Sequence, residues 1–291
     1  MAKHNLSPDS LSTYRACLQE CYQNGNGIVA LQILEEIGNK IDFDLEAKDI
    51  QTIVLAICRN NKEDPGLWKS GLDLLTRGGT YKYRSRGKVR VEAYNAVINC
   101  MEEENEWEEA KVLLQTMESN PEIHPTPTLA TYHALLQVYS AASKPDEAST
   151  LLTKLASTTD TDSTHQKPRP SGYTYELVIS ILVSNQYRRG EYYRAATKIL
   201  DMMRSSKVPI PTVVYNRVMS ACSKGRDTSM AMRLLQNMRK ENVPPDTVTY
   251  NSLISANAAA GRTKDALILL KECLREPNVE PDIITFTNAI R

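Results

Sequence analysis

The chain has 291 residues, with 35 basic and 35 acidic side chains and a formal net charge of zero. This balance argues against a protein that holds polyanions by bulk positive charge. No apolar run approaches the roughly 20 residues that span a bilayer, so we expect no membrane contact.

Residues 1–10 form an N-terminal tail that is neither Arg-rich nor amphipathic, so no transit peptide is visible. After the tail the chain repeats itself with a period of roughly 35 residues, which indicates a stacked array. Most repeats open with a Tyr and continue into an Ala-x-x-Leu-Leu element or a looser form of it. The seven predicted repeats, numbered 1 to 7, are 11–46, 47–90, 91–128, 129–171, 172–211, 212–246 and 247–282. A truncated eighth repeat, 283–291, suggests a fragment of a longer protein.

Repeat 2 is divergent and ends in a basic stretch, residues 81–90, which reads YKYRSRGKVR and contains no acid. Lys82 and Arg84 are candidates to contact phosphates, with Tyr81 or Tyr83 stacking on a base. A solvated loop between two helices explains the same composition, and the sequence does not separate these two readings.

Repeat 3 is acidic, with an acid-rich turn at residues 102–109, and this charge would repel nucleic acid. The turn is either a solvated edge or a surface for a protein partner. Residues 158–170, in repeat 4, are polar, contain proline and lack periodicity, so they indicate a flexible insertion.

Repeat 6 shows the underlying helical hairpin most clearly. Both of its halves place apolar residues three and four positions apart, as one face of a helix requires. Gly225 marks the turn between the halves, and Pro244 and Pro245 end the second helix. No segment alternates with period two for long enough to build a sheet. We therefore predict an all-α fold, a right-handed α-solenoid of stacked helix-turn-helix hairpins.

The cysteines lie within helical patterns and mostly among apolar neighbours, which favours core thiols in a reducing compartment. Cys17 and Cys21 share a helical face, but no histidine or second cysteine pair completes a zinc site. No phosphate-binding glycine loop and no nucleophile in a recognisable setting is present. We expect no cofactor, no metal and no catalytic residue. The cysteines are Cys17, Cys21, Cys58, Cys100, Cys222 and Cys273.

The repeats resemble those of the pentatricopeptide repeat family, in arrays like its P-type. The resemblance is carried by TVVYN at 212–216, TVTYN at 247–251, the Ala-x-x-Leu-Leu second helices and the Pro-Pro-Asp and Pro-Asp endings. Tetratricopeptide repeats have a similar period but lack the Val-x-Tyr-Asn opening, and their Trp and Gly-x-x-Tyr landmarks are missing here. The resemblance covers residues 11–291 and is strongest in 212–291.

In that family each repeat binds one base of single-stranded RNA. The resemblance implies that the fifth and last residues of a repeat meet the base edge, while the second residue packs on the base face. It pairs Asn216 with Asp246 and Asn251 with Asp282, a combination that the family reads as uracil. An Asn amide offers a donor and an acceptor to a base, and a neighbouring carboxylate can orient it.

The resemblance implies further contacts at matching positions. Second residues suited to packing on a base are Val213 and Val248, continued by Ile284. The pair Asn95 with Thr128 favours a pyrimidine, and Lys224 is placed to neutralise a phosphate. The remaining pairs depart from the family pattern, so we expect some repeats to serve as scaffold: Arg15 with Glu46, Gln51 with Arg90, His133 with Ser171, and Glu176 with Pro211.

A structural role is the alternative for the repeated Asn and Asp residues. Asn often caps helices, but Asn216 and Asn251 lie inside the helical pattern and recur with a terminal Asp, which favours a base-facing role. Asp246 and Asp282 are each placed to cap the following helix, and capping does not exclude base contact.

The expected function is therefore that of an organellar RNA-binding protein, in chloroplast or mitochondrion, acting in RNA processing, stability or translation. It would bind about one base per repeat and prefer U-U in its C-terminal repeats. The first alternative is a non-enzymatic scaffold subunit of an organellar ribosome or another large complex, in which the degenerate repeats bind protein. The second is an enzyme whose catalytic domain lies beyond Arg291.

Overall fold

The computed structural model describes residues 11–40, 45–59, 64–76, 88–157, 168–184, 192–277 and 279–290. Within these ranges the elements are fifteen helices, which confirms the all-α prediction. They are α1 (Leu11–Asn24), α2 (Gly27–Lys40), α3 (Ala47–Arg59), α4 (Trp68–Thr76), α5 (Val91–Glu104), α6 (Trp107–Ser119), α7 (Leu129–Ala141), α8 (Pro145–Ala156), α9 (Gly172–Ser184), α10 (Tyr193–Ser205), α11 (Thr212–Lys224), α12 (Thr228–Lys240), α13 (Thr247–Ala259), α14 (Thr263–Cys273) and α15 (Ile283–Ile290).

The helices pack as two compact units, α1–α7 and α8–α15. In the first unit, α1, α3, α5 and α7 contact one another in succession, and each even-numbered helix packs on the odd-numbered helices before and after it. The second unit follows the same rule, with α9, α11, α13 and α15 in succession and α10, α12 and α14 between them. This packing of helical hairpins is that of an α-solenoid, as predicted.

The tyrosine that opens most predicted repeats is a core residue with a polar end. Tyr94, Tyr132, Tyr175, Tyr215 and Tyr250 are each at most 2% exposed. A buried hydroxyl requires a hydrogen-bond partner, so phenylalanine would not replace these residues without loss. The hydroxyl groups pair with His124 Nδ1, Glu118, Ser206, Glu241 and Glu276, respectively.

Gly225 lies in the turn after α11, at the C-terminal cap of that helix, as predicted. Gly225 has a φ of −78°, in the right-handed region, and the left-handed residue is the next one, Arg226, with a φ of 56°. At the equivalent turn after α13, Gly261 has a φ of 72° and does use the freedom of glycine. The expectation of core cysteines fails at Cys17, which is exposed, whereas Cys21, one turn later on α1, is buried.

Several expectations concern residues outside the described ranges. These are the N-terminal tail, the predicted phosphate contacts Lys82 and Arg84, and most of the polar segment 158–170. Among the described residues, no helix combines the length and the hydropathy needed to cross a bilayer.

Candidate nucleic-acid interface

The candidate interface is built from the first turns of odd-numbered helices. Asn216 and Asn251 are the fifth residues of α11 and α13, and Asp246 and Asp282 directly precede α13 and α15. An Asp in that position accepts hydrogen bonds from amide groups of the first helical turn. Each Asp therefore lies at the start of one helix and beside the Asn of the preceding odd-numbered helix.

Asp246 has two roles at once. Its carboxylate accepts a hydrogen bond from the backbone N–H of Thr249 at 2.8 Å, which caps α13. The same carboxylate accepts from Asn216 Nδ2 at 2.9 and 3.0 Å to its two oxygens. A helix cap and an amide-orienting group are thus the same side chain.

The amide of Asn216 is enclosed. The residue is 7% exposed, and its Oδ1 accepts a hydrogen bond from the Thr249 hydroxyl at 2.6 Å. That hydroxyl also lies 2.9 Å from Asp246 Oδ1, so it has a second acceptor within reach. Rotating the Thr249 hydroxyl toward Asp246 would release Asn216 Oδ1 without leaving the hydroxyl unpaired.

The amide of Asn251 is more open. Its Nδ2 donates to Asp282 Oδ1 at 3.1 Å, while its Oδ1 is buried and has no hydrogen-bond partner among the described residues. Asp282 accepts from the Thr285 backbone N–H and hydroxyl, each at 2.8 Å. These bonds, the backbone one foremost, hold the pKa of Asp282 below its ordinary value. The anionic carboxylate therefore fixes the amide so that an unsatisfied acceptor remains.

Asn95 in α5 also has a buried Oδ1, for which the described part of the chain supplies no partner. No hydrogen bond between described residues joins it to Thr128, the residue predicted to pair with it. Thr128 instead engages Thr131, with its backbone N–H donating to Thr131 Oγ1 at 3.1 Å. The structure therefore does not bring this pair together as it does the two Asn–Asp pairs.

The predicted base-packing residues are exposed apolar side chains. Val213 is 47%, Val248 55% and Ile284 55% exposed. Each is the second residue of its helix, about one turn before the fifth residue, which is Asn216, Asn251 or, in α15, Thr287. They contribute little to the core, so their solvent-facing methyl groups are available to a ligand. Lys224, the last residue of α11, is exposed as well.

The first predicted repeat has a different arrangement at the same positions. Arg15, the fifth residue of α1, donates to both oxygens of Asp49 at 2.9 and 3.0 Å and to Glu46 at 2.9 Å. Asp49 is only 5% exposed. This ion-pair cluster occupies the donors that would otherwise face a base. It agrees with the expectation that Arg15 and Glu46 do not form a specificity pair.

The acidic turn at 102–109 is partly used within the protein. Glu104 accepts a hydrogen bond from the Gly66 backbone N–H at 2.6 Å. Glu106 lies 3.6 Å from Lys69 in an ion pair. These contacts join α4 to the end of α5 and the start of α6, so the turn has a structural role whether or not it also meets a partner.

Sequence reasoning did not identify Thr249, Thr285 and Asp49 as part of these clusters. Each is the third residue of its helix and lies three positions after the capping residue. The recurring Asp-x-x-Thr at 246–249 and 282–285 was a detectable signal, because that spacing is typical of a capping box. Asp49 carried no such signal, since its partner Arg15 is 34 residues away.

Comparisons with known proteins identify the same repeat. A model described as the PPR repeat family matches residues 211–259, and a model described as the PPR repeat matches 92–121, 130–157 and 248–277. A search of curated proteins found no match.

Two solved structures also match this chain. The crystal structure of the pentatricopeptide repeat protein PPR10 from maize matches with a TM-score of 0.53 at 16% identity, over 90% of this chain and 38% of that one. PPR10 in complex with an 18-nucleotide psaJ RNA element matches with a TM-score of 0.41 at 17% identity, over 91% and 40% of the two chains. This chain thus spans about two fifths of the length of PPR10.

Proposed function

Since this chain belongs to the pentatricopeptide repeat family, we propose that it binds single-stranded RNA and recognises bases through its Asn–Asp pairs. It acts in an organelle, chloroplast or mitochondrion, in RNA processing, stability or translation. Its role is binding rather than catalysis. The observation that carries the proposal is the Asn251 amide, which a capping carboxylate orients and whose buried oxygen has no partner within the described ranges.

The chemistry of that amide matches uracil. A buried polar atom without a partner costs about 1–3 kcal/mol, so a ligand that supplies a donor is favoured. Uracil carries an N–H between two carbonyl groups. A small shift that uncovers the buried Asn251 Oδ1 would let this N–H donate to it, and the second hydrogen of Nδ2 can donate to a uracil carbonyl. Asp282 uses the other Nδ2 hydrogen and fixes which end of the amide faces the base.

The pair Asn216–Asp246 supports a second uracil at a small additional cost. Here the base N–H replaces the Thr249 hydroxyl at Asn216 Oδ1, and the hydroxyl turns to Asp246, which lies 2.9 Å away. The base faces pack on the exposed Val213, Val248 and Ile284. These two adjacent pairs make U-U the expected core of the RNA target.

The scaffold alternative is favoured by one observation, the ion-pair cluster of Arg15, Glu46 and Asp49. A cluster that uses its donors internally leaves the start of the chain without a base-reading position. In this alternative the chain is a non-enzymatic subunit of an organellar ribosome or another large complex.

Selection from a random single-stranded RNA pool, at two salt concentrations, separates the two functions. The wild-type chain should enrich a U-U core, and an Asn216→Ala/Asn251→Ala variant should lose that enrichment. Weak binding that disappears with salt and ignores both substitutions would favour the scaffold.

A further inference from the structure

A cleft on the first compact unit has the features of a nucleotide site. It has a volume of about 240 Å³. Its lining comes from α1 (Gln19 and Tyr22), from α3 (Lys48, Gln51, Thr52 and Leu55) and from Arg90, the residue before α5. Gln51 and Arg90 are the fifth and last residues of predicted repeat 2, the pair that departs from the family pattern. Ligand sites for drug-sized molecules measure about 300–1,000 Å³, so this smaller cleft suits the base of a single nucleotide.

Three of the polar side chains that line the cleft have no partner among the described residues. The side chains of Lys48, Gln51 and Arg90 make no hydrogen bond or ion pair with another described residue. The lining carries two cations and no carboxylate. This differs from the Arg15 cluster, where two carboxylates satisfy the guanidinium. The cleft therefore favours an anionic ligand that presents acceptors.

The shape of the donors selects among bases. A guanidinium donates two parallel N–H groups, and guanine is the base that presents two adjacent acceptors, O6 and N7, to such a fork. Adenine places an amino group beside N7, and a guanidinium has no acceptor for the hydrogen bond that this amino group would donate. The Gln51 amide can accept from the guanine N1–H, and Lys48 can neutralise a phosphate.

The walls of the cleft suit a flat ring. Tyr22 and Leu55 are half-buried and present apolar surface to the opening. The Arg59 guanidinium lies 5.3 Å from the centre of the Tyr22 ring and donates to the Tyr22 carbonyl at 3.3 Å. It adds positive potential near the cleft without occupying it.

We propose that the cleft formed by Lys48, Gln51, Leu55, Tyr22 and Arg90 binds one guanine nucleotide, with Arg90 reading the guanine edge and Lys48 the phosphate. This inference rests on the proposed RNA-binding function and extends base reading to a pair that the family pattern leaves unassigned. The RNA target would then carry a guanine apart from the U-U core.

The test is calorimetric titration of the whole chain with 5′-GMP, 5′-AMP, 5′-UMP and inorganic phosphate. We expect 5′-GMP to bind at least about tenfold more tightly than the other three, as one bidentate arginine contact allows. Arg90→Ala should abolish the preference and Gln51→Ala should reduce it. Arg262→Ala, which removes an equally exposed arginine at the start of α14, should leave it unchanged.

Equal affinity for 5′-GMP, 5′-AMP and phosphate would overturn the inference, because it would indicate an unselective anion site. A 5′-GMP preference that survives Arg90→Ala would overturn it as well. Melting curves of each variant establish that the fold is intact. Pool selection run in parallel distinguishes the failures: a retained U-U core with no 5′-GMP preference contradicts only the guanine site, whereas loss of both contradicts the proposed function.

Discussion

Replacing Asp246 with alanine should destabilise the second compact unit more than replacing Asp282, although the two residues occupy the same position. Asp246 caps α13 through the Thr249 N–H and holds the nearly buried Asn216 amide. Asp282 caps α15 in the same way, but its partner Asn251 is only half-buried. The difference between the two variants isolates the burial of the Asn amide.

The magnitude follows from the two contacts that Asp246→Ala removes. Loss of a helix cap costs about 1 kcal/mol. Leaving a buried amide without its acceptor costs about 1–3 kcal/mol. Together they amount to about 2–4 kcal/mol, a large share of the roughly 5–15 kcal/mol that stabilises a domain. Asp282→Ala should show a smaller loss, because water can solvate the released amide.

Urea unfolding followed by circular dichroism measures both variants, with hydrogen exchange in α13 as a local probe. At a slope of about 2 kcal/mol per molar urea, the Asp246→Ala midpoint should fall by roughly 1–2 M. Asp246→Asn, which keeps an acceptor oxygen, serves as the control and should fall in between. Equal midpoints for Asp246→Ala and Asp282→Ala would refute the argument that the Asn216 amide depends on Asp246.

Three further changes have definite expected outcomes. Arg15→Ala should lower the free energy of urea unfolding of the first compact unit by about 3 kcal/mol, because it leaves the buried carboxylate of Asp49 uncompensated. This value is the low end for a broken buried ion pair, since Arg15 itself is partly exposed. A loss no larger than that of Cys17→Ala on the same helix would contradict this. Burial foremost raises the pKa of Tyr215 and of Tyr250 to about 12, above the ordinary value of 10. The stability that these two hydroxyl groups contribute is therefore full below pH 10 and is lost as the pH rises through 12. Tyr215→Phe should flatten the fall of the urea midpoint at alkaline pH. An unchanged fall would exclude Tyr215 as its source. Thr249→Val should lower the free energy of unfolding by about 1 kcal/mol, because it weakens the cap of α13. It should leave uracil binding intact in anisotropy titrations, since it removes the hydroxyl that competes for Asn216 Oδ1. A binding loss equal to that of Asn216→Ala would show that the hydroxyl itself contacts RNA.

The fold was accessible from the sequence because its signals are local and repeated. The 3- and 4-residue apolar spacing in 212–246 predicted helices, and the single period predicted stacking. The buried Tyr hydroxyl groups and the acidic caps recur for the same reason.

The differences between sites were not accessible, because they depend on contacts distant in sequence. Asn216 and Asn251 follow the same motif, yet Asn216 is enclosed by a Thr249 hydroxyl 33 residues later, while Asn251 keeps a free acceptor. The partner of Arg15 is likewise 34 residues away. The cleft that Gln51 and Arg90 share is likewise visible only once α1, α3 and α5 are packed.

Base-selective binding by the Asn–Asp pairs is tested most directly by fluorescence anisotropy with two oligonucleotides that differ only in a central U-U or A-A. We predict that the wild-type chain binds the U-U oligonucleotide at least about tenfold more tightly than the A-A oligonucleotide, at both low and high salt. The preference should vanish in Asn216→Ala/Asn251→Ala and persist in Asn237→Ala, which changes an asparagine on the even-numbered helix α12. Equal affinity for both oligonucleotides, falling steeply with salt and indifferent to all three substitutions, would contradict it.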